Sequence, residues 1–270
     1  MTTVREELAS ATESLAEVGC DTPRLDAELL LARVLGTDRA GLVMASDEEV
    51  SGDHRTRYLA LLTRRVKREP IAYITGYRDF RNLTLAVDPR VLIPRPETEL
   101  LVEVGLGLPS GARVADVGTG SGAVALALKH ERPDLHVIGV DVSEGALSVA
   151  RMNASRLRLD VEWWLGNLLE DVRCDAVLAN LPYVEATATL PPDVVDYEPK
   201  VALFSGVDGL DLIRLLAAQA GARPEVALLA LEIGEGQAPT VTGLVAGAGF
   251  TEVEALKDLA GIERVVVGRR

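Results

Sequence analysis

Basic residues are scarce in this sequence: 28 Lys and Arg stand against 41 Asp and Glu, a formal net charge of -13 over 270 residues. Phosphate backbones are held mainly by Lys and Arg, so nucleic acid is a disfavoured partner, leaving room only for a local basic patch. Cysteine is almost missing. Cys20 and Cys174 lie far apart with no C-x-x-C, which argues against a disulfide framework and a zinc knuckle and predicts two buried small hydrophobes. The three histidines, His54, His130 and His136, show no ligand spacing, and no metal is expected. No apolar run reaches the roughly 18 residues of a membrane span. The opening M-T-T-V-R-E-E is acidic where a leader would be basic and then apolar, so a cytoplasmic protein is expected.

What the chain does contain is core. With 48% hydrophobic and 26% charged residues it has a globular composition, and its length suits one full-size domain plus a smaller one. From Val4 to about Glu69 apolar residues recur at helical spacing, as in Leu25, Leu29, Leu30 and Val34, which predicts a helical domain over 1–70. Thr22-Pro23 opens one of its helices and Gly36 closes it. Residues 71–92, with Tyr73-Ile74 and Leu83 to Val87 around a polar centre, read as a linking hairpin. From 93 to 270 short apolar runs alternate with amphipathic stretches: Val114 to Val117, Val137 to Val142, Val161 to Trp164, Ala176 to Ala179 and Val226 to Ile233. Such strands, buried on both faces, predict an α/β domain with a parallel sheet, and Thr251 to Leu256 with Ile262 to Val267 add an antiparallel pair.

The first of these strands runs into Asp116-Val117-Gly118-Thr119-Gly120-Ser121-Gly122, and a helix-like stretch follows. Glycines there allow positive φ and let main chain approach a ligand at a helix N-terminus. Asp141 ends the second strand, where an acidic side chain can bind ribose hydroxyls, so adenosine-type binding is the natural reading. The turn alone does not choose the cofactor, because Gly118, Gly120 and Ala123 also satisfy the dinucleotide pattern of oxidoreductases. Asn167, past the third strand, is equally an adenine contact or a turn residue.

The fourth strand ends in Asn180-Leu181-Pro182-Tyr183, at the sheet edge where open α/β folds bind ligands. A planar amide or aromatic amine is a poor nucleophile, since its nitrogen lone pair is delocalised. Two acceptors, the Asn180 side-chain oxygen and the Leu181 carbonyl, can orient such an NH2 group; Pro182 fixes that carbonyl and Tyr183 offers a stacking face. Asn180, Pro182 and Tyr183 are the expected catalytic residues, with Leu181 completing the substrate site. Arg95 and Glu97 either line the mouth of the site or form a loop ion pair and helix start. The cluster Arg64, Arg65, Lys67 and Arg68 reads as a solvated helix end before a docking patch, and Trp163-Trp164 as core before cofactor stacking.

Together with Arg68 to Gly76, Ile93-Pro94-Arg95-Pro96-Glu97-Thr98-Glu99, Glu198-Pro199 and the D-G-L-D-L of 208–212, these motifs resemble the release-factor glutamine N5-methyltransferases of the HemK/PrmC type over nearly the whole chain. The resemblance implies a seven-stranded Rossmann-like methyltransferase sheet with a small N-terminal helical domain that helps dock the substrate. It implies S-adenosyl-L-methionine as cofactor, held by Gly118, Thr119, Gly120, Ser121, Gly122, Asp141 and Asn180. The implied substrate is the G-G-Q glutamine of class 1 peptide chain release factors, modified by a monomeric protein. Two departures stand out: the family usually has N-P-P-Y where this chain has Leu181, and an acidic residue at Asn167. N-L-P-Y also occurs in rRNA adenine dimethyltransferases, so an adenine or guanine N-methyltransferase is the alternative.

Overall fold

The computed structural model describes residues 2–270, which divide into two compact units: the chain up to Gly76 with Pro191–Tyr197, and Tyr77–Leu190 with Glu198–Arg270.

The first unit is helical, with α1 (Val4–Glu17), α2 (Pro23–Leu35), α3 (Arg39–Met44), α4 (Gly52–Val66) and α5 (Ile71–Thr75). Thr3 starts α1 through a capping box, its hydroxyl accepting from Glu6 N while Glu6 returns the bond to Thr3 N. Pro23 occupies the first turn of α2, and Gly36 ends it in the left-handed region at φ 67°. Leu8, Leu15, Leu30, Leu31, Tyr58 and Leu62 form the core of this unit. The basic cluster is a solvated helix end only in part. Arg65 is 5% exposed, and its guanidinium bonds Asp26 at 2.6 Å, Asp193 at 2.8 Å and the Glu69 carbonyl at 3.0 Å. Half-buried Arg68 also grips Asp193. Arg64 and Lys67 are exposed, Arg64 pairing with Glu69 and the Lys67 carbonyl accepting from Tyr197 Oη.

The second unit begins with the hairpin β1 (Tyr77–Phe80) and β2 (Leu83–Ala86), followed by α6 (Glu99–Leu106), β3 (Arg113–Val117), α7 (Ala123–Glu131), β4 (His136–Asp141), α8 (Glu144–Leu157), β5 (Glu162–Leu165) and β6 (Ala176–Ala179). The chain then forms α9 (Pro192–Val195) within the helical unit and returns for α10 (Asp211–Gly221), β7 (Leu228–Glu232), α11 (Ala238–Gly247), β8 (Glu252–Lys257) and β9 (Glu263–Arg269). The expected linker thus resolves differently: 71–75 is helix in the first unit, and the hairpin is shorter and belongs to the second.

The seven strands lie in the order β5-β4-β3-β6-β7-β9-β8, parallel except for β9, which runs antiparallel to both neighbours. Side chains alternate faces along each strand. Val114, Leu178 and Ala230 pack with α6 and α7 on one side, while Ala115, Val177 and Leu229 pack with α10 and α11 on the other. Strand order reverses between β3 and β6, so their carboxyl ends open a crevice beside β4. No helix among the described residues is long and apolar enough to cross a membrane.

Candidate active site

A cavity occupies that crevice. Gly118, Thr119, Gly120 and Ser121 from the turn after β3, Asp141 from β4, Asn167 past β5, and Asn180, Leu181 and Pro182 past β6 all line it. The sequence-predicted residues therefore meet in one place, with two exceptions. Gly122 does not line the cavity: in the left-handed region at φ 83°, a Cβ there would press on Leu126 and Trp163 at 3.0 Å. Tyr183 stands outside the lining as well, its hydroxyl turned to Glu232 at 3.4 Å.

The glycine turn keeps its shape because two carboxylates brace it. Asp116, 2% exposed, accepts from Thr119 Oγ1 at 2.6 Å and from Ala125 N in the first turn of α7 at 3.1 Å, both on one oxygen. Burial pushes its carboxyl up to about 6. Asp141 accepts from Gly120 N and Ser143 N, each at 2.9 Å, one on either oxygen, which leaves lone pairs for ligand hydroxyls. Burial raises its carboxyl too. On α8, fully buried Asn153 ties Ala86 N and O to the Ser121 carbonyl, joining the hairpin to the turn. Asp116 and Asn153 carried no predicted role. The D-V-G-T-G run did display the aspartate, whereas nothing around Asn153 marks its partners.

Trp163 is half-buried and fills the space left by two missing side chains, since a Cβ at Gly122 or Gly139 would collide with its ring. It packs there and does not line the cavity; Trp164 is exposed. Asn167 is exposed and reaches Glu170 at 3.5 Å.

In the same cavity the amide of Asn180 is held from one side. Its Nδ2 donates to Thr98 Oγ1 at 3.0 Å, so its Oδ1 is the end left for a partner. Thr98 ends a 3-10 turn, Pro96–Thr98, and is 4% exposed. Leu181 buries its side chain against Gly118, where a Cβ would come within 3.1 Å of it and within 3.2 Å of the Asn180 carbonyl. The glycine lets the two halves of the site approach closely. Gln237 donates to the Tyr183 carbonyl at 3.0 Å and accepts from Gly234 N at 2.8 Å, fixing the strand exit. Gly209, at φ 77°, passes so close to the same carbonyl that no side chain fits. Burial, then the nearby Glu232 carboxyl, lifts the Tyr183 phenol to about 12, so it stays a hydrogen-bond donor at neutral pH. Arg95 takes the ion-pair option: it bonds buried Glu198 at 2.5 Å, and the other oxygen of Glu198 accepts from Ile93 N at 3.0 Å.

Comparison with known proteins agrees with this architecture. The family profile described as PrmC N-terminal domain matches residues 6–76, and the one described as methyltransferase small domain matches 96–195. A release factor glutamine methyltransferase of Geobacter sulfurreducens is 40% identical over 99% of this chain and 96% of its own length. One of the same description from Neisseria gonorrhoeae is 42% identical, over 92% and 93% respectively. Among solved structures, a methyltransferase from Pyrococcus furiosus shares the fold at a TM-score of 0.52 and 16% identity, covering 68% of this chain and 87% of that one. With both halves matched and such identity along nearly its whole length, the chain belongs to the release factor glutamine methyltransferase family.

Proposed function

We propose that this chain transfers a methyl group from S-adenosylmethionine to the side-chain amide nitrogen of the G-G-Q glutamine in class 1 peptide chain release factors. The observation that carries this reading is the Asn180 amide, fixed by Thr98, in the same cavity as the glycine turn. The residues fit the cofactor: main chain of Gly118 to Ser121 at a helix N-terminus, a carboxylate at Asp141 with free lone pairs for hydroxyls, and Asn167 at the margin would hold it. When bound, S-adenosylmethionine supplies an electrophilic methyl on a positively charged sulfur.

The chain's own contribution is orientation. A substrate carboxamide has a delocalised nitrogen lone pair and two N–H donors; Asn180 Oδ1 and the Leu181 carbonyl accept those donors and fix the plane of the group. In the structure Thr98 accepts from the Asn180 NH2, which leaves Oδ1 for the substrate. Pro182 restricts Leu181 to extended conformations, so the carbonyl keeps its direction although Leu181 replaces the family's usual proline. Tyr183, outside the cavity lining, is fixed at the strand exit by Glu232 and Gln237. On this reading the helical unit takes part in recognising the release factor, and the protein works as a cytoplasmic monomer. The net charge of -13 supports a protein substrate over nucleic acid.

The test is transfer of labelled methyl to a purified release factor and to rRNA in parallel. Label on the release factor alone, with Asn180→Ala slower by about a hundredfold or more while cofactor affinity falls far less, is expected. Label on RNA with an inert release factor, or full turnover by Asn180→Ala, contradicts the reading.

A further inference from the structure

Backbone strain marks one wall of the cavity. Among the described residues, the non-glycine positions with positive φ are Arg68, Arg81, Arg158, Leu168 and Asp171. Leu168, at φ 57°, is the one of these that lines the cavity, and it is 6% exposed. A Cβ makes the left-handed region unfavourable, and leucine has no polar side-chain atom to offset that with a local hydrogen bond, as Asn or Asp does. The conformation persists only because its surroundings impose it.

They impose it through the next residue. Leu169 is fully buried; its N–H donates to Gln219 Oε1 at 2.9 Å, and its carbonyl accepts from Arg223 Nη2 at 2.7 Å. Gln219 lies in the last turn of α10, and Arg223 follows just past the end of that helix. Arg223 Nη1 also donates to the Gln219 carbonyl at 3.0 Å, so the two side chains form one brace. On the other side of Leu168, Gly166 N donates to the Asp141 carbonyl at 3.1 Å. Leu168 is thus held between the strand end that carries Asp141 and the end of α10. Asp141 is the residue proposed to take the ribose hydroxyls, so the base on that ribose would lie against 166–168. Leu168, with Val142 and Ala146 of the same lining, offers the apolar surface that the flat faces of an adenine need.

We propose that Gln219 and Arg223 are positioning residues for the cofactor: by holding both main-chain polar groups of Leu169, they keep Leu168 left-handed and its side chain in the cavity wall. Neither of them lines the cavity, so both act through the loop. Released from the brace, Leu168 relaxes to negative φ, its side chain leaves the wall, and the adenosine end of the cofactor loses that contact.

The inference rests on the cofactor site of the proposed function and not on its acceptor, so it is tested without release factor. The full chain is titrated calorimetrically with S-adenosylhomocysteine and with methylthioadenosine, which keeps the adenosine and lacks the amino-acid end. Gln219→Ala and Arg223→Ala should each weaken both ligands by about tenfold, since the cost of the left-handed region for a residue with a Cβ is of that order. Gln219→Glu keeps an acceptor for the Leu169 N–H and should bind as the wild type does. Glycine takes positive φ without the cost, so in a Leu168→Gly background Gln219→Ala should lose little further affinity. Wild-type affinity in both alanine variants, a loss confined to S-adenosylhomocysteine, an equal loss in Gln219→Glu, or the same loss from Gln219→Ala in both backgrounds would each overturn the inference and leave the proposed function standing. A wild type that binds neither ligand would refute the cofactor site itself, and the inference with it.

Discussion

Buried at the end of β3, Asp116 binds the turn hydroxyl and the first turn of α7 with a single oxygen, and its carboxyl sits near 6 where an exposed one would sit near 4. The folded chain therefore holds this proton more tightly than the unfolded chain. The stability it lends is complete below a pH of about 4 and is lost as pH rises through 6; Glu232 acts in the same sense through about 7. An asparagine in place of Asp116 could accept both bonds on its one carbonyl oxygen without ionising. Asp116→Asn should thus flatten the fall in stability between about pH 4 and 6, by up to about 3 kcal/mol in all, in urea titrations at each pH. An unchanged slope would show that Asp116 does not carry the proton. At this scale the sequence displayed most of the residues that line the cavity, because glycines and N-x-P-Y are local patterns. It hid those that hold them: Thr98 lies 82 positions before Asn180, and Asn153 lies 67 after Ala86.

Among the elements, β4 and β5 show how a missing side chain shapes a neighbour. Gly139 lies opposite Trp163 in the parallel register, and the indole covers the space where a Cβ would be. Gly139→Ala should therefore destabilise by about 1–3 kcal/mol, as overpacking of a filled site does. Trp163→Leu removes the colliding ring, so the double variant should lose less than the two single losses summed. Additive losses in thermal melts would contradict the packing account. Strand positions were readable from their apolar runs and the antiparallel pair from its short connection. The 71–75 segment was misread as strand because Tyr73 and Ile74 have β-like side chains; Pro70 before it and Gly76, at φ 80°, close it into one helical turn.

At the scale of the whole molecule, the helical unit is not a contiguous stretch. Residues 191–197 belong to it, held by Asp193 between Arg65 and Arg68 across 125 or more positions of sequence. A one-dimensional reading sees four cations at a helix end and assigns them all to solvent; the partner that draws Arg65 and Arg68 inward is far along the chain. Removing that partner leaves Arg65 buried with one carboxylate fewer. Asp193→Ala should then be destabilising by about 3 kcal/mol and hasten proteolytic cleavage between 184 and 198, whereas an unchanged melt and cleavage rate would show the clamp to be idle.

The central claim, that this site grips a carboxamide and methylates its nitrogen, is tested most directly by mass spectrometry of a release factor after incubation with enzyme and cofactor. One added methyl on the G-G-Q glutamine, absent when Asn180→Ala replaces the wild type, is the predicted result. A methyl on any other residue, or none at all while the cofactor is bound, would contradict it.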